Sequence, residues 1–157
     1  MFKFQLWLIA FCLLLYGKIH SSILDYYPYN VTPTASNYGN TGILEMPNAR
    51  MMSEAQLRFN FSASFPNEFT SLTASPFNWL EATYRYTEIK NVKYGPASYS
   101  GNQTLKDKGF DLKTLVLKET SSLPAIAIGL RDIAGSGEFS SEYIVSTKRL
   151  GQFDFSL

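Results

Sequence analysis

The sequence predicts an all-β protein, an antiparallel meander of about six strands that follows a signal peptide. Three observations predict it. Segments of about 8 to 11 residues alternate apolar and polar side chains with period two, the signature of a strand with two unlike faces. Aromatic residues make up 15% of the chain, with 10 Tyr and 12 Phe, and charged residues only 17%, a balance that favours pleated surfaces over helices. Connections such as "TSSL" at 120–123 and "LGQ" at 150–152 are short enough to require antiparallel neighbours.

The chain opens with Lys3, an apolar run from Phe4 to Gly17 broken by Gln5, and then Lys18 to Ser22. That run falls short of the roughly 20 residues a spanning helix needs, so residues 1–22 read as a signal peptide cleaved near Ser21 or Ser22. Cys12 lies inside the run behind the bulky Phe11, where a lipoprotein signal calls for a small residue, and reads as an apolar filler. Residues 23–40 show neither helical nor strand periodicity and read as an irregular lead-in. "TGILEMPNARMM" at 41–52 is apolar but interrupted by Pro47, which suits an edge strand or a turn.

Regular alternation begins at Ala55. Leu57, Phe59, Phe61 and Ala63 oppose Arg58, Asn60, Ser62 and Ser64, and Pro66, Asn67 and Glu68 end the run, leaving 66–75 as a loop. In "NWLEATYRYTEI" at 78–89, Leu80, Ala82, Tyr84 and Tyr86 oppose Glu81, Thr83, Arg85 and Thr87. A long connection, 90–108, is rich in Gly, Tyr, Asn and Lys, and the strand at 109–119 sets Phe110, Leu112, Thr114 and Val116 against Asp111, Lys113, Leu115 and Leu117. "PAIAIGLRD" at 124–132 faces Ile126, Ile128 and Leu130 one way and Arg131 the other, and "IAGSGE" at 133–138 leads to a strand that separates Tyr143, Val145 and Thr147 from Glu142, Ile144 and Lys148. "GQFDFSL" at 151–157 begins one more strand, which suggests truncation of the 41–157 domain at its C-terminal end.

Such two-faced strands have two solutions. A soluble secreted β-sandwich, binding carbohydrate or a protein partner, presses the apolar face on a second sheet, and an outer-membrane barrel presses it on lipid and turns the polar face to a lumen. Tyr84, Tyr86 and Tyr143 read as members of an interfacial aromatic girdle in the second case, with stacking on sugar rings as the alternative.

Charge and chemistry exclude several classes. Without Lys3 and Lys18 the basic count falls from 14 to 12 against 13 acidic residues, a net charge of −1 with no basic cluster, so no nucleic-acid partner is expected. The mature chain lacks Cys and His, which removes disulfides, thiol or imidazole catalysis and histidine metal sites; no cofactor or metal is expected. Glu81 and Asp111, on neighbouring strands with both facing a lumen, could in principle hydrolyse a glycosidic bond, but a solvated cross-strand ladder of Glu81, Arg85, Asp111 and Lys113 is the simpler reading, and no catalytic residue is assigned. The glycines at 95–104 and 134–138 lie in loops without the strand-to-helix setting of a phosphate loop.

"GILEMPNARMM", "NWLEATYRYTEI", "KDKGFDLK", "LPAIAIGLRDIAGSGEFSSEYIVSTKR" and "GQFDFSL", in that order, resemble the N-terminal part of the YjbH-type family of bacterial exopolysaccharide-biosynthesis proteins, over residues 41–157. The resemblance implies a Gram-negative outer-membrane β-barrel working with extracellular polysaccharide or its secretion machinery, and the residue chemistry above makes a non-enzymatic role the expectation. Family members are several times longer, so missing sequence or self-association is expected to complete the barrel. In that setting the sequons at Asn30, Asn60 and Asn102 are chance. Lumen-facing candidates are then Glu81, Thr83, Arg85, Asp111, Lys113, Arg131, Glu142 and Lys148. Candidates for contact with outer-membrane lipid are Leu80, Ala82, Tyr84, Tyr86, Ile126, Ile128 and Leu130.

Overall fold

The computed structural model describes residues 33–151 and 153–157, so the expected signal peptide and most of the lead-in lie outside the described residues. The chain divides into two units, one of Thr32–Lys148 with Phe155–Leu157 and one of Met1–Val31 with Arg149–Asp154. Of the second unit the described part is a strand end and turn, in which Arg149 Nε donates to the carbonyl of Gly151 at 3.2 Å and Gly151 takes φ +62°. The site described below belongs to the first unit.

Among the described residues the fold is all-β, with one short helix. A two-residue pair, β1 (Gly42–Ile43) and β2 (Met46–Pro47), precedes an antiparallel meander of β3 (Gln56–Ser64), β4 (Asn67–Phe77), β5 (Leu80–Lys93), β6 (Thr104–Leu117), β7 (Ala125–Arg131), β8 (Ser141–Leu150) and β9 (Phe153–Ser156). The helix α1 (Ala97–Ser100) is a single turn in the β5–β6 loop. Neighbours in sequence are neighbours in the sheet, as short connections require, and no pairing joins β3 to β9 among the described residues.

One strand was not expected. Residues 67–77 form β4, paired with β3 from Ser64↔Asn67 to Gln56↔Ser75 through a turn at Phe65 and Pro66. The reason lies in its side chains. Phe69, Ser71, Thr73 and Ser75 make up its buried side, so the strand buries small hydroxyls, and apolar alternation never appears.

The register sorts the sheet into two faces. Phe59↔Leu72, Leu72↔Tyr84, Tyr84↔Phe110 and Ala82↔Leu112 run across one of them, continued by Leu112↔Leu130 and Ile128↔Ile144. This face is open: Phe59 is 70% exposed, Phe110 50% and Ile144 72%. The other carries Thr73↔Thr83, Glu81↔Lys113, Thr83↔Asp111 and Arg85↔Gly109. Here Glu81, Thr83, Arg85, Asp111 and Lys113 are all buried. The usual arrangement of a water-soluble domain is reversed.

Candidate functional site: a charged sheet face closed by a strap

Residues 33–52 cover the charged face. Their backbone is mostly irregular and needs partners for its N–H and C=O groups, which the sheet supplies from side chains. Each strand from β3 to β8 contributes. From β3, Arg58 Nη2 donates to the Gly39 carbonyl at 2.9 Å and Ser62 Oγ to that of Asn37 at 2.9 Å. From β4, Thr73 Oγ1 donates to the Gly39 carbonyl at 2.9 Å. From β7, Arg131 Nη2 reaches the Glu45 carbonyl at 3.2 Å. From β8, Tyr143 Oη accepts from Asn40 Nδ2 at 3.0 Å and Thr147 Oγ1 from the Ala49 N–H at 2.8 Å.

The centre of the clamp is the in-register pair Glu81 on β5 and Lys113 on β6. The two side chains lie 3.2 Å apart and are 0% and 1% exposed. Glu81 accepts from the Thr41 N–H at 2.9 Å, the Thr41 hydroxyl at 2.5 Å and the Met52 N–H at 2.8 Å. Lys113 Nζ donates to the carbonyls of Arg50 at 2.7 Å, Thr41 at 3.1 Å and Asn48 at 3.4 Å. A carboxylate binds the strap's donors and an ammonium its acceptors, each neutralising the other; satisfying every group in this way is the condition on which a buried pair is tolerated.

A second cluster lies under the β7–β8 loop. Arg85 Nη1 is 3.4 Å from Asp111 Oδ2, and Asp111 Oδ1 accepts from the Asp132 N–H at 2.8 Å. The Arg85 guanidinium also sits 5.2 Å from the Tyr38 ring and 5.1 Å from that of Phe139, while Arg131 lies 4.2 Å from Tyr38. Tyr38, carried in by the strap, therefore takes two cations on its π-system, an arrangement strengthened by burial.

Gly39 permits this approach. Its φ is +99°, and a Cβ there would stand 2.0 Å from Ser71 Oγ. Gly39→Ala is expected to cost about 1–3 kcal/mol through backbone strain and displacement of the strap. The check is urea unfolding followed by Trp fluorescence; an unchanged midpoint would mean that the strap is not held at this point.

The expected ladder of Glu81, Arg85, Asp111 and Lys113 exists, but it is buried beneath the strap rather than solvated. Thr83 and Arg131 share its face. Thr83 is 2% exposed and its hydroxyl lies 2.9 Å from that of Thr73, so the polar face is packed at this point and not in contact with a watery lumen. Glu142 pairs with Leu130 and belongs to the open face, because β8 meets β7 with Ile144 opposite Ile128. Lys148 turns to the β6–β7 loop, donating to the Ser121 carbonyl at 3.0 Å and lying 3.5 Å from Glu119. Tyr143 was expected on an apolar face; it lies on the covered one, its ring over Gly129, where an added Cβ would meet Tyr143 Cζ at 2.1 Å. Leu80, Ala82, Tyr84, Tyr86, Ile126, Ile128 and Leu130 share the open face, with Tyr84 38%, Ile128 41% and Leu130 39% exposed.

Glu81 and Asp111 are thus both committed to buried partners, and among the described residues no three of His, Cys, Asp and Glu gather as a metal site. Sequence reasoning missed the strap itself: Tyr38, Gly39, Asn40 and Thr41 carry no periodicity. The signal available was the polar partner set, Arg58, Asn60 and Ser62, whose alternation marks a face that needs hydrogen-bonding company.

Residues 34–157 match the YjbH family model, described as exopolysaccharide biosynthesis protein YbjH. The chain is 42% identical over 132 residues to a protein of Escherichia coli (strain K12) described as "Uncharacterized lipoprotein YjbH", an alignment covering 83% of this chain and 19% of that protein. The chain thus spans about a fifth of the relative's length. No solved structure matches.

Proposed function

The chain belongs to the YjbH family of exopolysaccharide-biosynthesis proteins, and from that premise we propose that it forms part of the wall of an outer-membrane β-barrel that assists biosynthesis or export of extracellular polysaccharide without catalysing a reaction. The observation that carries this reading is the reversal of the two faces. In water, leaving a Leu, Ile or Phe exposed forgoes about 1.5–3 kcal/mol each, whereas in hydrocarbon the same side chains are at home. A face bearing Phe59, Leu72, Phe110, Leu112, Ile128 and Ile144 suits a lipid solvent, and the hydrogen-bonded strap suits the barrel side.

No helix among the described residues is long and apolar enough to cross a membrane, which says nothing about crossing with strands. Both outer strands, β3 and β9, would need partners in hydrocarbon. Further strands of a longer protein, or further copies, would supply them. Because the strap occupies the charged face, the assigned role is to anchor or organise the secretion machinery rather than to offer an open conduit along that face.

The relative's description as a lipoprotein supports envelope attachment. Two N-termini follow from the two routes: cleavage as a plain secretory signal leaves an end near Ser22 to Asp25, and acylation leaves Cys12 first. Cell fractionation with N-terminal sequencing tests both points. Outer-membrane material released only by detergent is expected, starting near Ser22. A freely soluble periplasmic chain would remove the barrel and favour the soluble β-sandwich, in which a second sheet covers the open face.

A further inference from the structure

On the open face the apolar band stops short of one end of the sheet. Along β5, Tyr84 and Tyr86 give way to Glu88 and Lys90, and on β6 Phe110 is preceded on the same face by Lys108 and Lys106, with Tyr86↔Lys108 and Glu88↔Lys106 in register. Glu68 takes Lys90 as its partner, and Glu88 accepts the Thr104 hydroxyl. Lys106 and Lys108 are exposed and donate to no acceptor among the described residues. At the same end the connections carry Phe65, 85% exposed, Tyr99, 81%, and Tyr94, 56%.

We propose that Lys106 and Lys108 bind the phosphate of an anionic lipid headgroup at the membrane surface, where the apolar band ends. The inference rests on the lipid-facing reading of the open face and deepens it by naming the headgroup chemistry. Two residues apart on one strand face, the lysines stand about 7 Å apart, a spacing that lets two ammonium groups address one headgroup. Their aliphatic stems can lie along Tyr86 and Phe110 while the charges reach outward. Exposed aromatic side chains at the same level are what a headgroup region accommodates. Of the nearby acids, Glu68 is paired with Lys90, whereas Glu88, which accepts the Thr104 hydroxyl and lies opposite Lys106 in register, offsets part of one charge and leaves the pair net cationic.

The test refolds the full chain with vesicles of phosphatidylcholine alone and of phosphatidylcholine mixed with phosphatidylglycerol, and measures partitioning by flotation. Wild type is expected to prefer the mixed vesicles. Each lysine near an anionic surface contributes a factor of about five, so the Lys106→Gln, Lys108→Gln double variant should lose a preference of roughly twentyfold to thirtyfold and bind neutral vesicles as wild type does. Lys118→Gln, just beyond the opposite end of β6, should keep the preference. No wild-type preference, a preference that survives in the double variant, or an equal loss in Lys118→Gln overturns the proposal while leaving lipid contact intact. Failure of wild type to float with either vesicle overturns the lipid-facing reading and this one with it.

Discussion

Replacing Lys113 with Met is expected to destabilise the protein by about 3–5 kcal/mol, the cost of leaving one member of a buried ion pair without its partner. Glu81 would then remain buried against the donors of Thr41 and Met52 with no neighbouring cation, and the carbonyls of Thr41, Asn48 and Arg50 would lose their shared donor. The strap should loosen before the sheet does. Trypsin cleavage after Arg50, whose carbonyl Lys113 holds at 2.7 Å, reads out the strap; urea unfolding followed at Trp79 reads out the whole. A Glu81→Gln, Lys113→Met double variant should recover part of the loss, because no lone charge is left. If the single variant keeps wild-type stability and resists cleavage at Arg50, the clamp does not hold the strap.

Ala82→Arg is the second large effect. Ala82 sits on the open face between Ala74 and Leu112. An arginine there would cost about 2–4 kcal/mol near the bilayer midplane and should block assembly into vesicles while leaving the strap protected. Thr83→Arg, one residue on, fails for a different reason. Thr83 is 2% exposed and packed beneath Gly39, so a longer side chain must expel the strap, exposing Arg50 to trypsin with membrane association retained. Vesicle flotation and trypsin mapping of both variants separate the two faces; identical behaviour would refute the face assignment.

Much of the fold was legible because β5 announces itself. Its alternation of Leu80, Ala82, Tyr84 and Tyr86 with Glu81, Thr83, Arg85 and Thr87 is the alternation of open and buried sides seen in the structure. β4 was not legible, since its buried positions Ser71, Thr73 and Ser75 are chosen to face polar backbone and carry no apolar rhythm. In β8 the period was right and the direction ambiguous: Tyr143 and Val145 look as apolar as Ile144, and only the pairing of Ile128 with Ile144 decides which side is open. The strap was beyond reach of any local rule. Asn40 bonds to Tyr143 across 103 positions and Thr41 to Lys113 across 72, and such matches have no periodicity to detect.

Those separations also set an order of assembly. The strap precedes the sheet in the chain, yet the groups that bind it come later in the sequence, from Arg58 through Thr147. Local hairpins such as β3–β4, closed by a two-residue turn, can form early, whereas the strap must wait for β5 and β6 to bring Glu81 beside Lys113. Until then the nascent sheet carries a bare charged face and an unattached leading segment. Docking of the strap is therefore a late step of folding, one that follows the long-range pairing of β5 with β6.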